Sequence, residues 1–81
     1  MKYVISINRI NRSWKVNNKL HREGDYPASE FTDGYKSWYK EGKRHRLNGP
    51  AVIYSSGAEA YWIDGMRYLK EKFNEICNKN K

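Results

Sequence analysis

Residues 37–60 read SWYKEGKRHRLNGPAVIYSSGAEA, and residues 13–36 read SWKVNNKLHREGDYPASEFTDGYK. Laid over one another, the two stretches are copies of one unit. Trp14 falls on Trp38, Lys15 on Tyr39, Asn18 on Gly42, His21-Arg22 on His45-Arg46, Pro27-Ala28 on Pro50-Ala51, and Gly34 on Gly57. A partial third copy, AYWIDGMRYL, starts at Ala60 and puts Tyr61, Trp62 and Gly65 in the places of Trp38, Tyr39 and Gly42. The first copy carries one extra residue, in REGDYPA against RLNGPA, so the offset is 24 residues before that loop and 23 after it. Self-similarity at a period of this size marks a repeat architecture.

The local chemistry identifies the unit. Asp33-Gly34, Glu41-Gly42, Ser56-Gly57 and Asp64-Gly65 stand between β-branched and aromatic residues, and glycine accepts the positive φ that tight hairpin turns require. PAVIYS, YKSWYK and AEAYWI read as strands by length and residue type, and PASEFT as a weaker one. Pro27 and Pro50 stand where strands begin, a place that tolerates a residue without an N–H. Ahead of the repeats, KYVISINRI alternates as a first strand that is expected to turn near Asn11-Arg12. Behind them, Leu69, Phe73, Ile76 and Cys77 fall on one face of a short helix.

The expected fold is therefore α+β, mostly β: an antiparallel meander of stacked β-hairpin repeats closed by a short C-terminal helix. The whole chain, 1–81, reads as a single domain. It comprises an N-terminal strand in 1–12, about two and a half hairpin repeats in 13–68, and a capping helix in 69–79.

The string WYKEGKRHRLNGPAVIYSSGAEAYWIDG resembles the MORN-like repeats, of the form W-Y-x-x-G-K-x-H-R-x-x-G-P-A, found in small phage and giant-virus proteins. The match is dense over residues 35–68, and with the first copy it covers 13–68. The resemblance implies an elongated sheet of stacked hairpins, a role in protein or lipid contacts, and no catalysis. The first copy departs from the pattern at Asn18 and Asp25-Tyr26, and the last at Tyr68-Leu69. The outer units are thus adapted as caps or as a contact site.

Sixteen Lys and Arg against nine Asp and Glu give a formal charge of +7. Residues 1–22 hold six bases and no acid, and Lys36 to Arg46 hold five bases against Glu41 alone. Such a field attracts phosphate or acidic protein surfaces. Cys77 is the only cysteine, so no internal disulfide forms and no oxidising compartment is implied. The start MKYVISINRINR is too polar for a secretory signal, and no apolar run approaches a membrane span, so a cytoplasmic protein is expected.

Chemistry finds little purchase in the sequence. The repeated pairs His21-Arg22 and His45-Arg46, with Trp38, Tyr61, Gly49 and Pro50, read as structural, since a residue recurring at one step of a repeat does the same packing task in each copy. The spacings of His21, His45 and Cys77 match no compact metal-ligand set. No serine has a base implied beside it, and the glycines sit in hairpin turns rather than in a phosphate loop. No catalytic residue, metal or cofactor is expected.

Trp14, Trp38, Tyr39, Tyr61 and Trp62 form an aromatic ladder whose adjacent members point to opposite faces of a strand. At least two of these rings are expected to be exposed. The expected partner-binding residues are Arg12, Trp14, Lys15, Lys36, Tyr39, Lys40, Lys43, Arg44 and Trp62. The sequence thus points to a small phage-encoded, non-enzymatic module, monomeric or weakly self-associating, that engages an acidic surface of a host protein. It would inhibit a bacterial defence or gene-expression system. The alternatives are a nucleic-acid binder and a self-assembling virion component.

Overall fold

A computed structural model describes residues 2–79. The strands are β1 (Val4–Ile7), β2 (Asn11–Val16), β3 (Lys19–Leu20), β4 (Ser29–Phe31), β5 (Lys36–Ser37), β6 (Tyr39–Lys40), β7 (Lys43–Arg44), β8 (Val52–Ile53), β9 (Glu59–Ile63) and β10 (Met66–Tyr68). One helix, α1 (Lys70–Lys79), closes the described chain. All pairings are antiparallel, and the main path runs β1-β2-β4-β5-β8-β9-β10. β3 pairs with the far end of β2, and β6 with β7. The mostly β meander with a terminal helix is thus the architecture that the repeats imply. Each full unit is one hairpin whose returning arm is interrupted by an excursion, residues 21–28 in the first and 45–51 in the second.

Two kinds of turn alternate along the meander. At one end lie Asn17-Asn18, Glu41-Gly42 and Asp64-Gly65, all with φ between 49° and 83° at both positions. These are two-residue turns of the type whose twist matches that of the flanking strands. Asn18 supplies without glycine what Gly42 and Gly65 supply with it, because asparagine tolerates the left-handed region better than other side chains. At the other end Gly34 (φ 100°) and Gly57 (φ 94°) close longer loops, with Gly34 N–H donating to Phe31 O and Gly57 N–H to Tyr54 O.

The first reversal lies earlier than the sequence suggests. Asn11 and Arg12 already belong to β2, and the chain turns over Asn8–Asn11. Asn8 Oδ1 accepts the N–H groups of Ile10 (2.8 Å) and Asn11 (2.9 Å), so a side chain shapes this turn without a glycine. At the other terminus Leu69 is 77% exposed and does not join the apolar face of α1. Its carbonyl accepts the Phe73 N–H, which places it at the entry to the helix. Phe73 carries the docking: it is buried, with its ring 4.8 Å from that of Tyr61 on β9.

The core is small and drawn from both faces of the sheet: Trp14, Ala28, Trp38, Ala51, Val52, Ala60 and Phe73. Ala28 and Ala51 are fully buried, and the hydrogen bonding of the sheet continues through them, with Trp14 N–H donating to Ala28 O and Trp38 N–H to Ala51 O. The turn chemistry sets two expectations for thermal unfolding. Asn18→Gly should stabilise the protein by a few tenths to about 1 kcal/mol, and Gly34→Ala should destabilise it by about 1 kcal/mol or more.

Candidate functional site

Arg22 and Arg46 do the same work in their two units. The Arg22 guanidinium lies 3.7 Å from the centre of the Trp14 ring and donates through Nη1 to Pro27 O (3.1 Å). Arg46 lies 3.9 Å over Trp38 and donates to Pro50 O (3.1 Å). Each arginine thus fixes the excursion of its unit to the tryptophan of the same unit, an attraction worth about 0.5–2 kcal/mol. A side chain at Gly49 would begin 3.2 Å from Arg46 Nη1, so a bare backbone there leaves room for the stack.

The histidines join one unit to the next. His21 Nδ1 accepts the N–H of Glu41 (3.0 Å), and His45 Nδ1 accepts that of Asp64 (3.0 Å), the first residue of the following turn in each case. His21 Nε2 is buried, with Glu23 Oε1 3.3 Å away but not completing a hydrogen bond. Tyr68-Leu69 takes the histidine-arginine position in the last copy, where α1 follows in place of another hairpin.

The longer loop of the first copy has a task that the alignment alone did not reveal. Asp25, at φ 60°, receives Arg46 on both oxygens (3.0 and 3.3 Å), and its carbonyl accepts the Trp38 Nε1–H (3.1 Å). Arg46 is thereby held by its own tryptophan and by the preceding unit.

Strand alternation separates the expected partner-binding residues. Trp14 is core, 8% exposed beneath Arg22. None of the five ladder rings is exposed: Trp14 and Trp38 are buried, and Tyr39, Tyr61 and Trp62 are half-buried. Arginines stacked on the tryptophans and Phe73 packed on Tyr61 supply the cover. Arg12 and Lys36 lie on the same face as Trp14 and Trp38, on either side of Glu30 in the register Arg12↔Glu30↔Lys36. Arg12 is partly neutralised there, with Nη2 3.4 Å from Glu30 Oε1. Lys40 and Lys43 are on that face too, directly opposite one another across their turn. With Lys19 they border a cleft of about 590 Å³ that Glu41 and Asp64 also line.

Lys15, Tyr39, Arg44 and Trp62 occupy the other face. Its centre is a continuous row of small side chains, Ser6↔Ser13↔Ser29↔Ser37↔Val52↔Ala60, each directly opposite the next. On one flank Phe31, Tyr35 and Tyr54 stand edge to face, with centroids 5.4 and 5.9 Å apart, along a cleft of about 480 Å³. On the other flank are the pairs Lys15↔Leu20, Tyr39↔Arg44 and Trp62↔Arg67. Arg44 donates through Nε to the Tyr39 hydroxyl (3.3 Å), and its guanidinium lies 5.0 Å from the Trp62 ring. Partial burial works against the Arg44 charge, but the Tyr39 hydroxyl, with Tyr35 beside it, outweighs that cost and raises its pKa above the ordinary value. Trp62 Nε1 is buried without an acceptor. The face is a shallow trough over a largely buried floor of small residues, with aromatic walls, cations on one wall and Asp33 beside the other.

Sequence reasoning missed the floor serines, Phe31, Tyr35, Tyr54 and Arg67, and it marked Asp25 as a departure of the first copy without its contacts. A signal for the floor was present, since Ser13, Ser37 and Ala60 precede the aromatic of each copy. Among the described residues, no three His, Cys, Asp or Glu side chains converge as metal ligands do. Cys77 Sγ lies 3.5 Å from Leu47 O. No family model, curated protein or solved structure matches the chain.

Asp25→Asn keeps a residue that accepts positive φ but removes the charge. It should cost about 1 kcal/mol, given the partial exposure of the pair, and a double-mutant cycle with Arg46→Lys should show the two positions coupled.

Proposed function

We propose that this chain is a non-enzymatic binding module that takes an acidic surface of another protein onto its trough. One observation carries the reading: the wall made by Lys15, Tyr39, Arg44, Trp62 and Arg67 joins three cations to two half-exposed rings and includes no acid. Cations steer the encounter, and aromatic anchors with arginine supply most of the contact energy at protein interfaces. Among the described residues, Lys15, Arg44 and Arg67 have no carboxylate at salt-bridge distance, so their charge is free for a partner. No helix in the structure is long and apolar enough to cross a membrane. The small size, the net charge of +7 and the resemblance to small phage and giant-virus repeat proteins support a phage-encoded module acting on a host protein in the cytoplasm. A bacterial defence or gene-expression system is the kind of target that such a module inhibits.

Nucleic acid is the second reading, and the cleft among Lys19, Lys40 and Lys43 favours it. Like charges placed directly opposite one another repel, and a phosphate between them relieves the repulsion.

Affinity capture from a bacterial lysate, with and without nuclease, separates the two. The first reading expects a protein retained after nuclease and lost with Arg44→Glu, a weakening of about thirtyfold or more, equivalent to about 2 kcal/mol. Lys36→Glu, on the opposite face, should leave capture unchanged. Loss of all capture on nuclease treatment, or sensitivity to Lys40→Glu but not to Arg44→Glu, would favour nucleic acid and refute the first.

A further inference from the structure

β1 is the first strand of the sheet, and only β2 pairs with it. The hydrogen-bond parity shows what its free edge offers. Asn8 N–H donates to Asn11 O (3.0 Å), which makes Asn8 and Asn11 a directly bonded pair. Counting back along the antiparallel register, Ser6↔Ser13 and Val4↔Lys15 are the other bonded pairs, and Ile5↔Trp14 and Ile7↔Arg12 fall between them. Trp14 agrees with this parity, because its N–H and C=O both turn away from β1, to Ala28 O and His21 N. The N–H and C=O of Ile5 and Ile7 therefore point outward, with no strand to receive them.

The side chains along this edge are apolar and open. Val4 is 64% exposed, Ile5 50% and Ile7 70%. The strand is nevertheless held in place: Tyr3 OH accepts the Glu23 N–H (2.9 Å), and β2 pairs with the whole of β1. A preformed, apolar, unpaired edge is the template that extended segments use when they add to a sheet.

Charge selects the occupant. The apolar stretch is bracketed by exposed Lys2 and Arg9, and residues 1–22 contain no acid. The acids nearest the strand are Glu23, whose carboxylate lies 3.3 Å from His21 Nε2, and Glu30, which faces Arg12 at 3.4 Å; neither is at salt-bridge distance from Lys2 or Arg9. A second copy added antiparallel, with Ile5 opposite Ile7, would bring Lys2 of one chain within a residue of Arg9 of the other at both ends. Like charges opposed across strands are unfavourable, and opposite charges favourable.

We propose that the free edge of β1 is a strand-addition site for an extended segment of a partner protein, apolar at its centre and carrying carboxylates at both ends. Main-chain bonds to Ile5 and Ile7 would hold the segment, its apolar side chains would cover Val4, Ile5 and Ile7, and its acids would meet Lys2 and Arg9. The site adjoins the trough, whose floor begins at Ser6 of β1, but the main-chain bonds at Ile5 and Ile7 do not depend on it.

The test uses the full chain and two synthetic peptides of alternating valine and threonine, one with paired glutamates at both ends and one with paired lysines. Amide hydrogen exchange is followed residue by residue. The glutamate peptide should slow exchange at Ile5 and Ile7 by about tenfold or more, and the lysine peptide should not. Ile7→Pro removes one outward donor and none of the bonds to β2, so it should weaken the glutamate peptide about tenfold while the Val4 and Ser6 amides stay protected. If that variant instead frees β1 from β2, the pair Lys2→Glu with Arg9→Glu decides the matter, because it leaves the backbone alone and should reverse the preference to the lysine peptide. Failure of the glutamate peptide to protect Ile5 and Ile7, or an unreversed preference in the charge variant, overturns the proposal. Concentration-dependent protection of the same amides without peptide also overturns it, by making the occupant a second copy.

Discussion

An arginine lying flat on the tryptophan of its own unit is the contact on which the rest of this small structure depends. The returning arm of each hairpin leaves the sheet for several residues, and something must hold it against the strands. Arg22 and Arg46 do so from the start of the excursion, with the ring on one side and a proline carbonyl near its end at the guanidinium's edge. The cover they provide lets two tryptophans serve as core in a chain too short to enclose them with a second layer. The molecule is only 18 Å across its thinnest dimension. The histidine before each arginine then receives the next turn, so one dipeptide both closes a unit and starts the stacking of its successor.

This division of labour explains why the basic run between Lys36 and Arg46 is not one binding surface. Consecutive residues in sequence became opposite faces in space. Tyr39 and Arg44 look into the trough, and Lys40 and Lys43 look the other way. Arg46 is committed to the fold, with Asp25 on one side of it and Trp38 on the other. A sheet of this kind presents two chemically distinct surfaces from one stretch of chain: a cationic one at the hairpin tips, and one of serines and rings.

Much of the fold was legible because the repeat and its turns are written in residues with narrow conformational preferences. Gly42 and Gly65 mark turns by their tolerance of positive φ, and the alignment carried that reading to Asn18. The reversal at Asn8 escaped because a side-chain oxygen, rather than a glycine, shapes it. Leu69 escaped because helical spacing cannot tell the last residue before a helix from the first on its face. The trough was half legible. Alternation puts Tyr39 and Trp62 on one face, but the row from Ser6 to Ala60 exists only once every strand's register is known. Arg44 likewise gains its rings from a cross-strand pair and from a neighbouring hairpin, contacts that one linear sequence does not state.

Asp25, in the longer loop of the first copy, gives the joint between the two full units a direction. Its carboxylate reaches forward to Arg46, and its carbonyl to Trp38, but the shorter loop of the second unit, Leu47-Asn48-Gly49, holds no acid that could reach onward in the same way. Copying the second unit end to end would therefore produce members whose arginine had a ring but no carboxylate. The joint between the two full units is keyed rather than generic, because it is made by an acid that the loop of the second unit lacks.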